Sequence, residues 1–296
     1  MQTVPVNEAL TELLKKVRSL EIKSKRLTNH LFTGEYHTAF KGRGMSFKEV
    51  REYQAGDDIR FIDWNVSARS GHTYTKVFEE ERELSVYLLI DVSASNFFGT
   101  HGQSKQELIA EVSAVLSFSA ISNNDKAGAI FFSDRVEKYL PARKGKDHVL
   151  LLLRELLSFR PQSAKTDIIQ AIRFLNGTTR HKSIVFILSD FADEGYKEVL
   201  RVTAKRHDVI GIQVYDRHDA QLPDIGLVQV QDPETGLEML LDTGNAAMRA
   251  RYQAQFSKIT GDAKATFRNA GADLIQLATG EDYVNQLQHF FMSRVK

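Results

Sequence analysis

From residue 83 onward, apolar stretches of strand length alternate with amphipathic stretches of helix length, and this restricts the folds open to the chain more than any other feature. A helix between two strands returns the chain to the end of the sheet where it began, so the strands run parallel and helices cover both faces. The pattern predicts strands over 85–90, 127–132, 136–140, 183–188, 208–214 and 272–277. It predicts helices over 105–122, 147–158, 167–175, 196–206, 246–269 and 281–294. Residues 222–242 alternate apolar and polar around a turn at Asp232 to Gly236, which reads as a hairpin.

The first 82 residues read differently. Over 7–32, Leu10, Leu13, Leu14, Val17, Leu27 and Leu31 recur at helical spacing with Lys15, Lys16, Lys23, Lys25 and Arg26 between them, an amphipathic helix with a break near Ser19. Residues 33–82 lose that periodicity and gather glycine, aspartate and aromatic residues, which reads as short strands and turns. The division expected is therefore 1–82, a helix plus a small β-rich region, and 83–296, an α/β domain. No proline- or glycine-rich linker marks the boundary.

Composition excludes several classes. Lys and Arg number 39 against 38 Asp and Glu, so no net charge points to nucleic acid. Cysteine is absent, which removes disulfides, thiolate metal sites and cysteine nucleophiles. The N-terminus lacks the apolar core of a signal peptide, and the longest apolar run, 149–153, is far short of a membrane span. A cytoplasmic protein without an integral membrane segment is the expectation.

The residues that suggest chemistry sit where strands end. The run Val86 to Ile90 leads directly into Asp91-Val92-Ser93-Ala94-Ser95, and in an open α/β sheet functional groups collect at the carboxyl ends of strands. If the loop curves tightly, Asp91, Ser93 and Ser95 turn toward one point and offer only oxygen, which suits a hard divalent cation. A second apolar run ends in Asp190 at the same edge, and Thr166-Asp167 stands between the two, just ahead of a predicted helix. Singly, each has an ordinary reading: Asp190 as a loop cap, Ser93 and Ser95 as turn hydroxyls, Thr166 as a helix cap. Their joint occurrence in this order shifts the weight toward a site.

That order, Asp-x-Ser-x-Ser, then Thr, then Asp, resembles the metal-ion-dependent adhesion site of von Willebrand factor A domains and integrin inserted domains. The resemblance implies a Rossmann-like, mostly parallel sheet. It also implies that Ser93 and Ser95 bind Mg²⁺ directly, with Mn²⁺ or Ca²⁺ as alternatives, and Thr166 directly or through water. Asp91 and Asp190 would act largely through water, leaving a position open to a partner's carboxylate. Upstream, Gly42-Arg43-Gly44, Phe47, Arg51, Tyr53, Gly56-Asp57-Asp58, Arg60, Ile62-Asp63-Trp64, Ala68-Arg69 and the acidic run from Glu79 to Glu81 resemble the bacterial family called domain of unknown function 58. Members of that family often carry Met where this chain has Asn96, a position that is not a ligand. The chain resembles the soluble members, commonly encoded beside MoxR-type AAA+ ATPases. The implied function is an interaction module that binds an acidic residue of such an ATPase or of its client.

Catalytic alternatives find little support. A haloacid dehalogenase-type phosphatase needs a second Asp where Ser93 stands, and no G-x-S-x-G elbow, H-E-x-x-H helix or phosphate-binding glycine loop occurs. Gly42-Arg43-Gly44 reads as a turn or bulge. A metal-dependent hydrolase of phosphate esters and a metal-free scaffold remain the competing functions. His30, His37, His72, His207 and His218 are scattered and take ordinary positions. Asp57, Asp58 and Asp63 are expected to pair with Arg60 and Arg69 while Trp64 packs on a sheet.

Overall fold

The computed structural model describes residues 46–79, 84–97, 103–233 and 235–295, together with Lys15, Arg18 and Ser19. Those three are helical, and the rest of the amphipathic helix expected over 7–32 lies outside the described residues, as do Gly42-Arg43-Gly44 and Glu80-Glu81. Residues 41–83 form one compact unit, and 84–296 belong to a second. Among the described residues no helix is long and apolar enough to cross a membrane.

In the smaller unit, strands β1 (Ser46–Glu52) and β2 (Tyr74–Glu79) pair antiparallel, with a register shift between Phe47 and Glu49. Between them the chain makes a 3-10 turn (Ile59–Phe61) and a helix, α1 (Trp64–Ser70). The helix corrects the expectation of strands and turns alone. It is too short to show apolar periodicity, and its ends define it: the Asp63 side chain accepts from the N–H groups of Asn65 and Val66, and Gly71 closes it at φ 74°. The acidic residues are paired, Asp58 with Arg60 at 2.6 Å, Asp57 with Arg51 at 2.7 Å and Asp63 with Lys76 at 3.4 Å. Arg69 is exposed, and Trp64, at 70% exposure, does not pack on a sheet as expected.

In the larger unit the elements follow in the order β3 (Ser85–Asp91), α2 (Lys105–Ser122), β4 (Lys126–Phe132), β5 (Val136–Arg143), α3 (Lys146–Ser158), α4 (Ile168–Thr178), β6 (Ile184–Ser189), α5 (Lys197–Arg206), β7 (Asp208–Tyr215), α6 (Arg217–Ala220), β8 (Leu227–Gln231), β9 (Glu238–Asp242), α7 (Ala246–Ala270), β10 (Asp273–Ala278) and α8 (Tyr283–Val295). Six strands form one sheet in the order β10-β7-β6-β3-β4-β5, all parallel except the edge strand β5. This is the mixed α/β, Rossmann-like architecture expected, with β8 and β9 forming the predicted hairpin. Strand β5 runs to Arg143, past the expected end at Leu140, because Pro141 is tolerated on a sheet edge.

Alternation along the strands divides the core. Val86, Leu88 and Ile90 face α2, α3 and α8, whereas Tyr87 and Leu89 face α4, α5 and α7. Each fully buried Leu, Ile or Phe in these layers contributes roughly 1.5–3 kcal/mol by leaving water. Helix α7 approaches β7 through Phe267, and Gly211 makes the room: a Cβ there would lie 2.5 Å from Phe267 Cζ. Helix α2 starts with a capping box, Ser104 Oγ accepting from Glu107 N while Glu107 accepts from Ser104 N.

From β3 the chain moves outward through β4 to β5, then crosses back to place β6 on the opposite side of β3, with β7 and β10 beyond. The order therefore reverses between β3 and β6. The crevice at the carboxyl ends of these two strands is where such sheets form ligand sites.

Candidate functional site

Asp91 is the last residue of β3, and Asp190 directly follows the end of β6, so the two carboxylates flank the reversal point. Asp91 is buried and held on both oxygens: Oδ1 accepts from Ser93 N at 2.9 Å and Oδ2 accepts from Ser189 Oγ at 2.7 Å. Ser93 Oγ and Ser95 Oγ are 3.1 Å apart, so the loop does turn its alternate residues toward one another. A 3-10 turn over Ala94–Phe97 supplies that curvature.

The Thr166 segment is tied to this loop. Ala94 N donates to Ala164 O at 3.2 Å, and Asp167 N donates to Ser133 O, just beyond β4. Glu137 of β5 fixes the approach, one carboxylate oxygen accepting from Ser133 Oγ, Gln162 N and Ser163 N. Helix α4 is capped by Asp167, which accepts from Ile169 N, and by Asp193, which accepts from Ile168 N. Capping thus falls to these two aspartates, and Thr166 is half-buried immediately before the cap.

Asp190 is set by its backbone as much as by its side chain. Its carbonyl accepts from Gln213 Nε2 at 2.9 Å, and its Oδ1 accepts from Ala192 N. Phe191, the next residue, has φ 55°, a left-handed conformation that is costly for a bulky side chain. Two contacts hold it there: Ser189 Oγ accepts from Phe191 N, and its ring meets Phe267 edge-on at 5.1 Å with Tyr196 at 6.0 Å.

Burial, and then the facing charge of Asp190, push the Asp91 carboxyl up to about 7, against the opposing effect of its Ser93 and Ser189 hydrogen bonds. Asp193 is also raised, chiefly by burial. The cation that the structure brings to Asp190 is Lys105, whose Nζ lies 3.7 Å from Asp190 Oδ2 and 3.1 Å from Asp219 Oδ2.

These residues offer only oxygen donors, the kind that suits a hard divalent cation. Asp91, Ser93, Ser95, Thr166 and Asp190 could hold one through oxygen alone, and a second positive charge would relieve the repulsion between two carboxylates. Asn96 adds an independent observation. It is buried, and its Nδ2 donates to the Asp91 carbonyl at 3.1 Å while its Oδ1 has no hydrogen-bond partner among the described residues. A buried orphan acceptor calls for a donor, which water on a cation provides. Among the described residues no three His, Cys, Asp or Glu side chains gather as a metal-holding group, so the hydroxyls are essential to this donor set.

Sequence reasoning missed Ser189, Lys105, Glu137 and the structural role of Asn96. Only Ser189, adjacent to Asp190, carried a local signal. Of the histidines set aside, His207 is buried, with burial lowering it to about 4, and His218 lines a cavity of about 460 Å³ with Arg217, Gln221, Leu222, Pro223, Asp224 and Arg249.

A family profile described as "Protein of unknown function DUF58" matches residues 49–260, from β1 into α7. The chain belongs to this family. Among curated relatives, the uncharacterised protein Rv1480 of Mycobacterium tuberculosis is 32% identical over 288 residues, covering 96% of this chain and 90% of that protein. The uncharacterised protein YeaD of Bacillus subtilis is 35% identical over 108 residues, 36% of this chain and 25% of that protein. Among solved structures, an aerotolerance-related membrane protein from Bacteroides fragilis superimposes with a TM-score of 0.48 at 17% identity, covering 72% of this chain and 98% of that chain. The resemblance of the Gly-Asp to Ile-Asp-Trp segment to this family, drawn from sequence, therefore holds.

Proposed function

We propose that this member of the DUF58 family is a metal-dependent interaction module that grips a carboxylate of a protein partner through Mg²⁺ held by Asp91, Ser93, Ser95, Thr166 and Asp190. The observation that carries this reading is the pair of carboxylates at the strand-order reversal, Asp91 buried and bonded to Ser189 Oγ, with the Ser93 and Ser95 hydroxyls 3.1 Å apart in the loop that follows it. When bound, the ion supplies a positive centre whose charge is incompletely offset by its neighbours and that attracts an anionic ligand. The chain's own residues do the rest. Ser93 N and Ser189 Oγ orient Asp91, Asn96 fixes the loop, and the Ala94 to Ala164 bond brings the Thr166 segment alongside.

The sequence resemblance to soluble members encoded beside MoxR-type AAA+ ATPases points to such an ATPase or its client as the partner. The raised Asp91 is the one observation that favours a metal-dependent phosphohydrolase, since perturbed carboxyls mark catalytic sites. Its causes, burial and a neighbouring carboxylate, serve an ion site equally well, and the interaction reading uses every residue named.

The test is calorimetric titration with Mg²⁺, followed by capture of the purified ATPase in Mg²⁺ or in chelator. Expected are a binding heat and chelator-sensitive capture, both lost in Asp91→Ala, whose fold persists by circular dichroism. Mg²⁺ that gives neither heat nor thermal shift would overturn the proposal. Phosphate-ester turnover sensitive to Asp91→Ala would replace it with the hydrolase reading.

A further inference from the structure

Lys105 is the first residue of α2, 3% exposed, with its ammonium between two carboxylates from separate parts of the chain. A buried ammonium requires partners, and among the described residues it has two: Asp219 at 3.1 Å, in hydrogen-bond contact, and Asp190 at 3.7 Å, in ion-pair range only. The stronger partner lies away from the candidate site, and the weaker one belongs to it.

Each carboxylate has an anchor in its own element besides Lys105. Asp190 is fixed by Gln213 Nε2 on its carbonyl and by Ala192 N on Oδ1. Asp219 closes a capping box at α6, its Oδ2 accepting from Asp216 N at 3.0 Å, and Asp216 is anchored by Thr279 Oγ1 at 2.6 Å. The Lys105 ammonium therefore bridges two independently built elements. One presents Asp190, and the other is α6, which carries Arg217 and His218 into the adjoining cavity.

We propose that Lys105 is a tethered cation that competes with the divalent ion for Asp190, setting the affinity of the site and linking its occupancy to α6. This rests on the metal reading above. An ammonium beside Asp190 repels a second cation, so Lys105 must give up Asp190 and rely on Asp219 alone when that carboxylate serves the ion. Asp219 is thus a positioning residue, because it gives the ammonium somewhere else to go.

Two variants are expected to act with opposite signs and a third to stay neutral. Lys105→Met removes the competing charge and keeps the apolar stem, so it is expected to bind Mg²⁺ at least about fivefold more tightly by calorimetry. Lys105→Arg keeps the charge and is expected to stay near wild type. Asp219→Asn weakens the ammonium's alternative partner and is expected to loosen Mg²⁺ binding severalfold, which keeps the test available if Lys105→Met does not fold. Hydrogen exchange across residues 216–221 supplies a second readout, expected to change on Mg²⁺ addition in wild type and not in Lys105→Met.

If wild type binds no Mg²⁺, the metal reading itself fails. If wild type binds but Lys105→Met binds equally or more weakly, or Asp219→Asn binds no more weakly, the Lys105 inference fails and the metal reading stands. Exchange at 216–221 that does not respond to Mg²⁺ in wild type would overturn the link to α6.

Discussion

Two regions of the larger unit invert the usual placement of side chains in opposite ways. At the carboxyl ends of β3 and β6, polar groups are buried: Asp91, Ser93, Asn96, Lys105 and Ser189 are all at most 3% exposed. On the β8–β9 hairpin, apolar groups are exposed, Leu227 at 72%, Leu240 at 74% and Leu237 at 67%. Burying polar groups is tolerable only when their hydrogen bonds are made, and the site makes nearly all of them within the chain. Exposing apolar groups requires no partner, and the hairpin's side-chain hydrogen bonds, such as Gln229 Nε2 to Glu238 at 2.6 Å, lie at the surface. It is also secured at its base, where the Thr243 hydroxyl donates to Gly226 O at 2.6 Å and accepts from Ile225 N, and by a turn in which Asp232 accepts from Thr235 N and Gly236 N. The lesson is that the site is coupled to the stability of the fold, whereas the hairpin's outer face is not.

The sharpest way to break this contrast is at Ser189. Ser189→Ala strips a donor from the buried Asp91 carboxylate and an acceptor from Phe191 N, and is expected to cost about 1–3 kcal/mol in urea unfolding. A variant as stable as wild type would show that the network does not support the sheet edge.

Titration sharpens it next. The folded Asp91 carboxyl is raised to about 7 from an ordinary 3.8, so folding takes up a proton between those values. In chelator, the stability this group adds is full below about pH 4 and is lost as pH rises through about 7. Thermal unfolding should therefore show the midpoint of wild type falling by several degrees over that range relative to Asp91→Asn, with Mg²⁺ reducing the difference. Parallel curves would remove Asp91 from the argument.

Thr243→Val addresses the hairpin's base. It is expected to cost about 1 kcal/mol and to speed amide exchange over 227–242 while leaving Mg²⁺ binding unchanged. The smallest effect is expected from Leu240→Ser on the hairpin's outer face, within about 0.5 kcal/mol of wild type in urea unfolding. A loss of 2 kcal/mol there would mean that the face is covered.

The same contrast governs what could be read from sequence. Strands of the six-stranded sheet and the long helices on it were legible because each buries a continuous face, and helix 105–122 matches at both ends, whereas the four-residue α6 buries no residue and left no such signal. Asp91 and Asp190 were legible because they interrupt apolar runs at the point where a parallel strand must end. Ser189 and Lys105 were not, because their partners are 98 and 114 residues away and only the sheet order brings them together. Asn96 was dismissed as a non-ligand, and its bond to the Asp91 carbonyl is a matter of loop shape that no residue pattern announces. Helix α1 escaped because seven residues hold too few turns to show a stripe, although Asp63 and Gly71 mark its ends.

The left-handed Phe191 has a consequence for redesign. Glycine or asparagine would suit the backbone there, yet either would leave a void between Tyr196 and Phe267. Leucine would fill part of the void while keeping the torsional penalty. A procedure that chose residues by backbone preference would thus replace the phenylalanine first and, by slackening the turn after Asp190, erode the geometry of the candidate site without touching any of its residues.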